Sequence, residues 1–436
     1  MARFILSSPH ITKIGVGGFK SISRPQAIEV RPLTILAGTN SSGKSSIMQP
    51  LLLMKQTLEA SYDPGPLLLN GPNVRFTLAK QLFSLTAAAQ QRDQFTVEIA
   101  TDMETALINR FQRDEATGIA IAATTYVSRE KGRYTLTLQA NDDELMAVPW
   151  VRDYARGHKN QNIPAWIARY RCLLAVETEM DLWEYSDHED SQFKLRIENI
   201  IHLPGLRGSP ARTYPRTATN GPHFVGTFDN YVASLIHSWG VTNNKKLGEL
   251  RFWMQQLGLA SSIEANPLDD TAIEIRVGRL PRIAGIVNDD NVSIADVGLG
   301  VSQVLPVIVA LITADPGQLV YIEQPELHLH PRAQSALAQL FAAAAQRGVR
   351  VVVETHSSLF LLGVQTLIAE EKLAPDLVKL HWFRRDDAGA TEITSSDLDE
   401  SGAFDIDWPE DFAEVALQAE SRYLDAAEAR HLQIRR

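Results

Sequence analysis

Residues 38–45 read Gly-Thr-Asn-Ser-Ser-Gly-Lys-Ser, a spacing that can wrap a chain of phosphates. Gly38 and Gly43 let the backbone curl so that successive N–H groups face inward at phosphate oxygens. Lys44 supplies a point charge for the outer phosphates and the Ser45 hydroxyl can hold Mg²⁺; Asn40, Ser41, Ser42 and Ser46 complete the candidate nucleotide-binding set. Such a loop works only between a strand and a helix. The apolar run Leu33–Ala37 predicts a buried strand, and Ile47, Leu51, Leu52 and Met54 predict a helix over Ser45–Thr57. That helix turns its positive end toward a bound anion.

A phosphate loop needs a carboxylate from another strand end. Leu319–Ile322 is an apolar strand that runs into Glu323-Gln324-Pro325-Glu326-Leu327-His328-Leu329-His330-Pro331, so Glu323 is expected opposite Ser45, holding the metal through water. Its distance along the chain from Lys44 requires a large segment between the two. Upstream, Asp296–Gln303 contains Gly298 and Gly300 and leads into an apolar helix expected over about Gln303–Thr313. There Ser302 is the expected N-cap and Pro306 falls in the first turn. This segment is a second candidate anion site or an ordinary capped core helix. Val351–Glu354 predicts a further strand, with His356 just past its end.

The chain has 436 residues, 44% hydrophobic and 22% charged, so two or three globular lobes are expected. Its single cysteine, Cys172, gives no internal disulfide framework and fits a reducing compartment. No apolar run reaches the length of a membrane span and Met1–Ser8 is no signal peptide, so a cytoplasmic protein is expected. A net charge of −10 argues against a surface coated for nucleic acid, although a local basic groove remains compatible with it.

Along the chain, residues 1–141 are expected to hold the phosphate loop and, through Phe95–Thr101, Gly118–Ser128 and Tyr134–Ala140, an antiparallel β-lobe. Residues 142–192 read as a mainly helical insertion, including Ala165–Leu174, with Trp150, Tyr154, Trp166 and Tyr170 as core. His188 sits in a solvated acidic loop. Residues 193–385 return to a strand near Phe193, pass the basic stretch Arg207, Arg212 and Arg216, and carry the later motifs. That stretch reads equally as a phosphate contact or as partners for the acidic fold. Residues 386–436 form an acidic tail in which Asp405 and Asp407 are read as surface charge. The fold class is α/β: a mixed central sheet, an antiparallel β-lobe and a helical insertion.

In this order the motifs resemble the ABC-type ATPase heads of the SMC/RecF/OLD-like group, specifically prokaryotic AAA family ATPases with a short acidic C-terminal domain. The resemblance runs from the expected strand Gly17–Ile22, through Ile200–Arg207, to Gly402–Phe412. It implies ATP and Mg²⁺ as cofactors, Lys44 and Ser45 on phosphates and metal, and Glu323 as the Walker B acid. Gly298, Gly300, Ser302 and Gln303 become the signature segment, which in this group reaches ATP held by another subunit, and His356 becomes the switch histidine. Phe19 and Lys20 are placed near the nucleotide, Gln81 is the glutamine-loop candidate, and Arg207 belongs to an arginine segment of the OLD-like subgroup. A homodimer or higher homo-oligomer with ATP-sandwiched heads is implied, in settings such as Septu-, PARIS- or retron-type phage defence or DNA maintenance. There a separately encoded effector, such as a nuclease, is the partner and DNA is a candidate ligand.

One position departs from that pattern. The residue after the Walker B acid is Gln324, and an amide cannot accept a proton, so general-base help worth about 10²–10⁴-fold is missing unless Glu326 supplies it. Slow hydrolysis is expected, with ATP acting chiefly as a clamp. No sustained heptads point to a long coiled coil, and the stretch after His356 is too short for the nuclease domain of OLD enzymes. The alternatives are a stand-alone DNA-processing nuclease, or an ATP-dependent assembly scaffold with negligible turnover.

Overall fold

The computed structural model describes residues 10–85, 93–149, 151–152, 165–178, 189–219, 221–279, 290–405 and 421–422. The strands in chain order begin with β1 (Ile11–Gly17), β2 (Gln26–Glu29) and β3 (Leu33–Gly38). Next come β4 (Gln94–Thr101), β5 (Ala106–Asp114), β6 (Gly118–Ser128), β7 (Gly132–Leu136), β8 (Ala165–Tyr170) and β9 (Leu173–Thr178). The second half adds β10 (Ile201–Leu203), β11 (Tyr214–Pro215), β12 (Ser262–Pro267), β13 (Ala272–Gly278), β14 (Asn291–Ser293) and β15 (Leu319–Glu323). The last are β16 (Arg350–Glu354), β17 (Val378–Arg385) and β18 (Thr391–Ser396).

The central sheet has the order β10-β15-β16-β3-β17-β18, parallel except for the antiparallel edge strand β18. Its inner strands are nearly unbroken runs of Val, Ile and Leu because both faces are covered. Alternate residues therefore serve two cores. Leu36, Tyr321, Val352 and Phe383 pack with Ile47, Met48, Leu51 and Leu52 of the phosphate-loop helix Lys44–Leu58. Ile35, Ile322, Val351 and Val353 pack on the other face, with the helices Leu299–Thr313, Pro331–Gln346 and Ser358–Ala369. A second, antiparallel sheet, β2-β1-β4-β5-β6-β7, forms the β-lobe and closes over the first of these cores.

The mixed central sheet and the antiparallel lobe agree with the sequence reading. Several local expectations do not. Ala165–Leu174 is a β-hairpin, β8–β9, rather than a helix. Its alternation of Trp, Ile, Ala and Tyr suits a strand, and Trp166 and Tyr170 are substantially exposed rather than core. Lys194 caps the Tyr170 ring at 4.5 Å, a use of the exposed face that burial would forbid. The chain near Phe193 is a helix, Glu189–Glu198, and the strand begins only at Ile201. The expected strand Gly17–Ile22 is instead the end of β1 followed by a tight turn, with Gly18 and Lys20 at positive φ. The signature helix begins at Leu299 with Gly298 as its cap, so Ser302 lies inside the first turn and Pro306 is interior. It starts early because Val301 is buried and its N–H closes on Gly298 O, which commits the preceding residues to helix. Trp150, Tyr154, His188, Asp407 and most of the acidic tail lie outside the described residues.

Candidate nucleotide site

The phosphate loop leaves the C-terminal end of β3 and enters its helix at Lys44. Gly38 has φ +144°, and a Cβ there would stand 2.2 Å from Phe383 O; at Gly43, φ +103°, a Cβ would meet Thr391 Oγ1 at 2.3 Å. Only glycine fits either place. Thr391 walls the loop from β18: its Oγ1 donates to Ser42 O and accepts from Ser21 Oγ, both at 2.8 Å. Arg385 Nε donates to Ser41 O at 2.8 Å, so β17 fastens the loop's outer arm.

Lys44 is buried and its ammonium donates to Gly38 O and Thr39 O at 3.0 and 2.8 Å. Burial lowers its pKa, against the raising influence of the Glu354 and Glu326 charges. Asn40 and Ser41 are exposed, Ser46 is buried, and Ser42 is buried with its Oγ unpartnered among the described residues. An unsatisfied hydroxyl and a cation lying across backbone carbonyls inside a glycine-only cradle are groups a polyphosphate would satisfy.

The Ser45 hydroxyl donates to Glu354 Oε2 at 2.8 Å, so the carboxylate facing it is Glu354 rather than the expected Glu323. The reason is strand order: β16 lies between β15 and β3, which sets Glu354 one strand closer to the loop. Glu323 instead takes His202 Nε2 and Gly205 N, both at 3.2 Å. Burial alone would raise its pKa, but the His202 hydrogen bond and charge, with Gly205 N–H and Arg207, bring it below the usual value. Glu354 is pushed up, first by burial and then by the Glu323 charge. Hard oxygen donors of this kind suit Mg²⁺, which keeps several waters and phosphate oxygens as ligands. Among the described residues no group of three or more His, Cys, Asp and Glu could hold a metal ion on its own.

Gln324 sits at φ +43°, its backbone N–H bonded to Glu354 O at 2.7 Å. Glu326 Oε1 accepts from His356 N at 2.6 Å and from Thr355 Oγ1 at 2.9 Å, while its Oε2 is sealed with no partner among the described residues. Burial raises the Glu326 pKa. Burial, then the Lys44 charge, lowers that of His356.

Arg207 is buried behind this end of the sheet. Its guanidinium donates to Gln303 O at 3.0 Å and Glu323 O at 2.7 Å, and burial lowers its pKa to about 10. It therefore links the signature helix to the end of β15. Arg212 meets Asp296 at 2.7 Å and Arg216 meets Asp270 at 3.9 Å, so both neighbours engage acidic side chains of the fold. Ser302 donates to Leu299 O in its own helix. A Cβ on Gly300 would stand 2.9 Å from His328 O, so the signature turn and the loop after β15 nearly touch.

Two weaker candidates are engaged within the fold itself. Phe19 is fully buried, edge-on to Phe95 at 5.3 Å, and is part of the β-lobe core. Gln81 is exposed and its Oε1 caps its own turn at Thr77 N and Leu78 N. Lys20 does lie beside the loop's helix, donating to Gln49 Oε1 at 3.0 Å; burial, then the nearby Arg385 charge, lowers its pKa. Glu354, Arg385 and Thr391 were not singled out from the sequence. A charged residue closing the apolar run Val351–Val353 was the available signal for Glu354; no local signal marks the other two.

Residues 285–362 match a family model described as "AAA domain, putative AbiEii toxin, Type IV TA system". No curated protein matches the chain significantly. Solved structures similar to it include an SmcHead bound to the C-winged helix domain of ScpA. That likeness has 13% identity and a TM-score of 0.47, covering 90% of this chain and 99% of that one. The SMC head domain from Thermotoga maritima shares 11% identity, with a TM-score of 0.37 and coverage of 88% and 98%. An Smc head domain with an extended coiled coil, bound to the C-terminal domain of ScpA derived from Pyrococcus furiosus, shares 13% identity. Its TM-score is 0.43 and the coverage 89% and 96%. No helix among the described residues is long and apolar enough to cross a membrane.

Proposed function

We propose that this chain is an ATP-binding, slowly hydrolysing switch whose heads pair around ATP and control a partner effector. The observation that carries the reading is the glycine-only phosphate loop with Lys44 and Ser45 beside Glu354, at the C-terminal edge of a parallel sheet. The AAA-domain match over residues 285–362 supports it, because that segment holds the signature helix, β15 and His356.

In this reading Lys44 and the loop amides hold the β- and γ-phosphates, and Ser45 with the strand-end carboxylates positions Mg²⁺. The ion would neutralise charge that develops on the transferred phosphoryl group. His356, on a loop held by Glu326, would serve the γ-phosphate of bound ATP. Gln324 can orient water by hydrogen bonding but cannot take its proton, which makes turnover slow.

Pairing is supported by the placement of the signature helix. It packs on the sheet face opposite the phosphate-loop helix, and among the described residues the Ser302 hydroxyl bonds within its own turn. Its exposed start, with Leu299 uncovered, suits a second copy's nucleotide. Phage defence or DNA maintenance with a separately encoded nuclease is the proposed setting.

The test is complementation. Lys44→Ala and Ser302→Arg chains are each expected to stay monomeric with ATP by analytical ultracentrifugation. Their mixture should regain ATP-dependent mass, because one sandwiched site is then intact. A mixture that remains monomeric, while wild type dimerises with ATP, rules out the shared site.

A further inference from the structure

We propose that Glu354 is a metal-positioning carboxylate of the nucleotide site, acting with Ser45 as the protein's nearest contact to the divalent cation. This deepens the nucleotide reading and rests on it.

Glu354 closes β16, in register with Glu323 on one side and Leu36 on the other. Neighbouring strands stand about 4.8 Å apart, so Glu354 is one strand from the phosphate-loop strand and Glu323 is two. Glu323 is also occupied, by His202 and the Gly205 amide. Glu354 is only 5% exposed, and its Oε2 accepts from both Ser45 Oγ at 2.8 Å and Tyr321 OH at 3.1 Å. Its Oε1 takes no hydrogen bond among the described residues.

A largely buried carboxylate against the first hydroxyl of a phosphate-loop helix has a definite chemical consequence. A triphosphate there would add several negative charges beside one that burial already disfavours. A divalent cation between them removes the conflict, and Ser45 is the hydroxyl such a cation would take. Glu354 thus makes nucleotide binding depend on metal more strongly than Glu323 acting alone through water would.

A purely structural role, holding Tyr321 and Ser45 in place, gives a different outcome in one substitution. Glu354→Gln keeps an oxygen that accepts from both hydroxyls and removes only the charge. The probe is mant-ATP, titrated into wild type, E354Q and Glu354→Asp with Mg²⁺ and again with EDTA, with folding checked by thermal melting. Wild type should bind more tightly with Mg²⁺. In E354Q that metal-dependent gain should shrink about 10–100-fold, the usual effect of losing a group that orients a metal site, while metal-free affinity holds or rises. Glu354→Asp, charged but one methylene shorter, should lose part of the gain. It decides the matter if E354Q does not fold: a gain equal to wild type overturns the proposal. An unchanged gain in a folded E354Q does the same. Wild type that binds no mant-ATP, or binds it regardless of Lys44→Ala, sinks the nucleotide reading itself. Binding through Lys44 with the gain intact in E354Q sinks only the role of Glu354.

Discussion

The Glu326 carboxylate accepts the His356 backbone N–H at 2.6 Å, fastening the loop after β15 to the loop after β16. The same oxygen takes Thr355 Oγ1, and the other is sealed from solvent. A carboxylate used in this way holds the His356 backbone in place and leaves little freedom to deprotonate water.

Glu326→Gln should accordingly fold with wild-type stability, since the amide oxygen still accepts from His356 and Thr355, and ATP turnover should stay within about tenfold of wild type. Glu326→Ala should melt earlier, with two donors left unpaired at about 1–3 kcal/mol each. Steady-state phosphate release and thermal melting check both. A loss of about 10²–10⁴-fold in Glu326→Gln at unchanged stability would make Glu326 the general base after all.

Arg207 spans two backbone carbonyls, those of Gln303 and Glu323, with two separate nitrogens of one planar guanidinium, whereas lysine has a single nitrogen to place. Arg207→Lys should lose about 1.5–3 kcal/mol, the range for a hydrogen bond to a charged group. It should also loosen the signature helix from the end of β15. Denaturant unfolding measures the first effect and hydrogen exchange of the amides at 299–305 the second. Stability equal to wild type would show that the bridge is incidental.

Gly38→Ala places a methyl against Phe383 O at a φ that side chains avoid, whereas Gly389→Ala faces open space. Both pay for a positive φ, about 1–3 kcal/mol. Only the first must also open the loop, so it should melt lower than Gly389→Ala and lose mant-ATP binding. Equal melting of the two variants would contradict the cradle described here.

His381 gives a stability change with pH. Its Nε2–H donates to Glu29 O at 2.9 Å and its Nδ1 meets Ser395 Oγ at 2.8 Å, and burial lowers its pKa from 6.5 to about 4. The unfolded chain therefore binds a proton there that the folded chain refuses. Stability should be fully present above about pH 6.5 and fall as the pH drops toward 4, by on the order of 3 kcal/mol at most. His381→Gln, which cannot titrate, should flatten that part of the melting-temperature profile. An identical profile for the two proteins would remove His381 from the acid response.

The central sheet was legible because Leu33–Ala37, Leu319–Ile322 and Val351–Val353 are apolar runs buried on both faces, and the antiparallel lobe because Phe95–Thr101 and Gly118–Ser128 are rich in Val, Ile, Thr and Tyr between turns. Spacing alone could not tell which strand lies beside β3. Glu323 looked like the partner of Ser45 only while β16 was not known to intervene. Ala165–Leu174 failed for a related reason: short apolar runs suit a strand or a helix, and pairing decides between them. Ser302 was misread because a serine after glycines looks like a cap, while burial of Val301 draws the helix back to Leu299.

The wall that Thr391 builds against Ser42 and Ser21 joins positions as far as 370 residues apart along the chain. During synthesis, then, the phosphate loop emerges from the ribosome long before the strand that braces it. Until β18 arrives, the nascent N-terminal lobe carries a glycine-rich turn without its brace, so competence to grip a ligand is a late event in the life of each molecule.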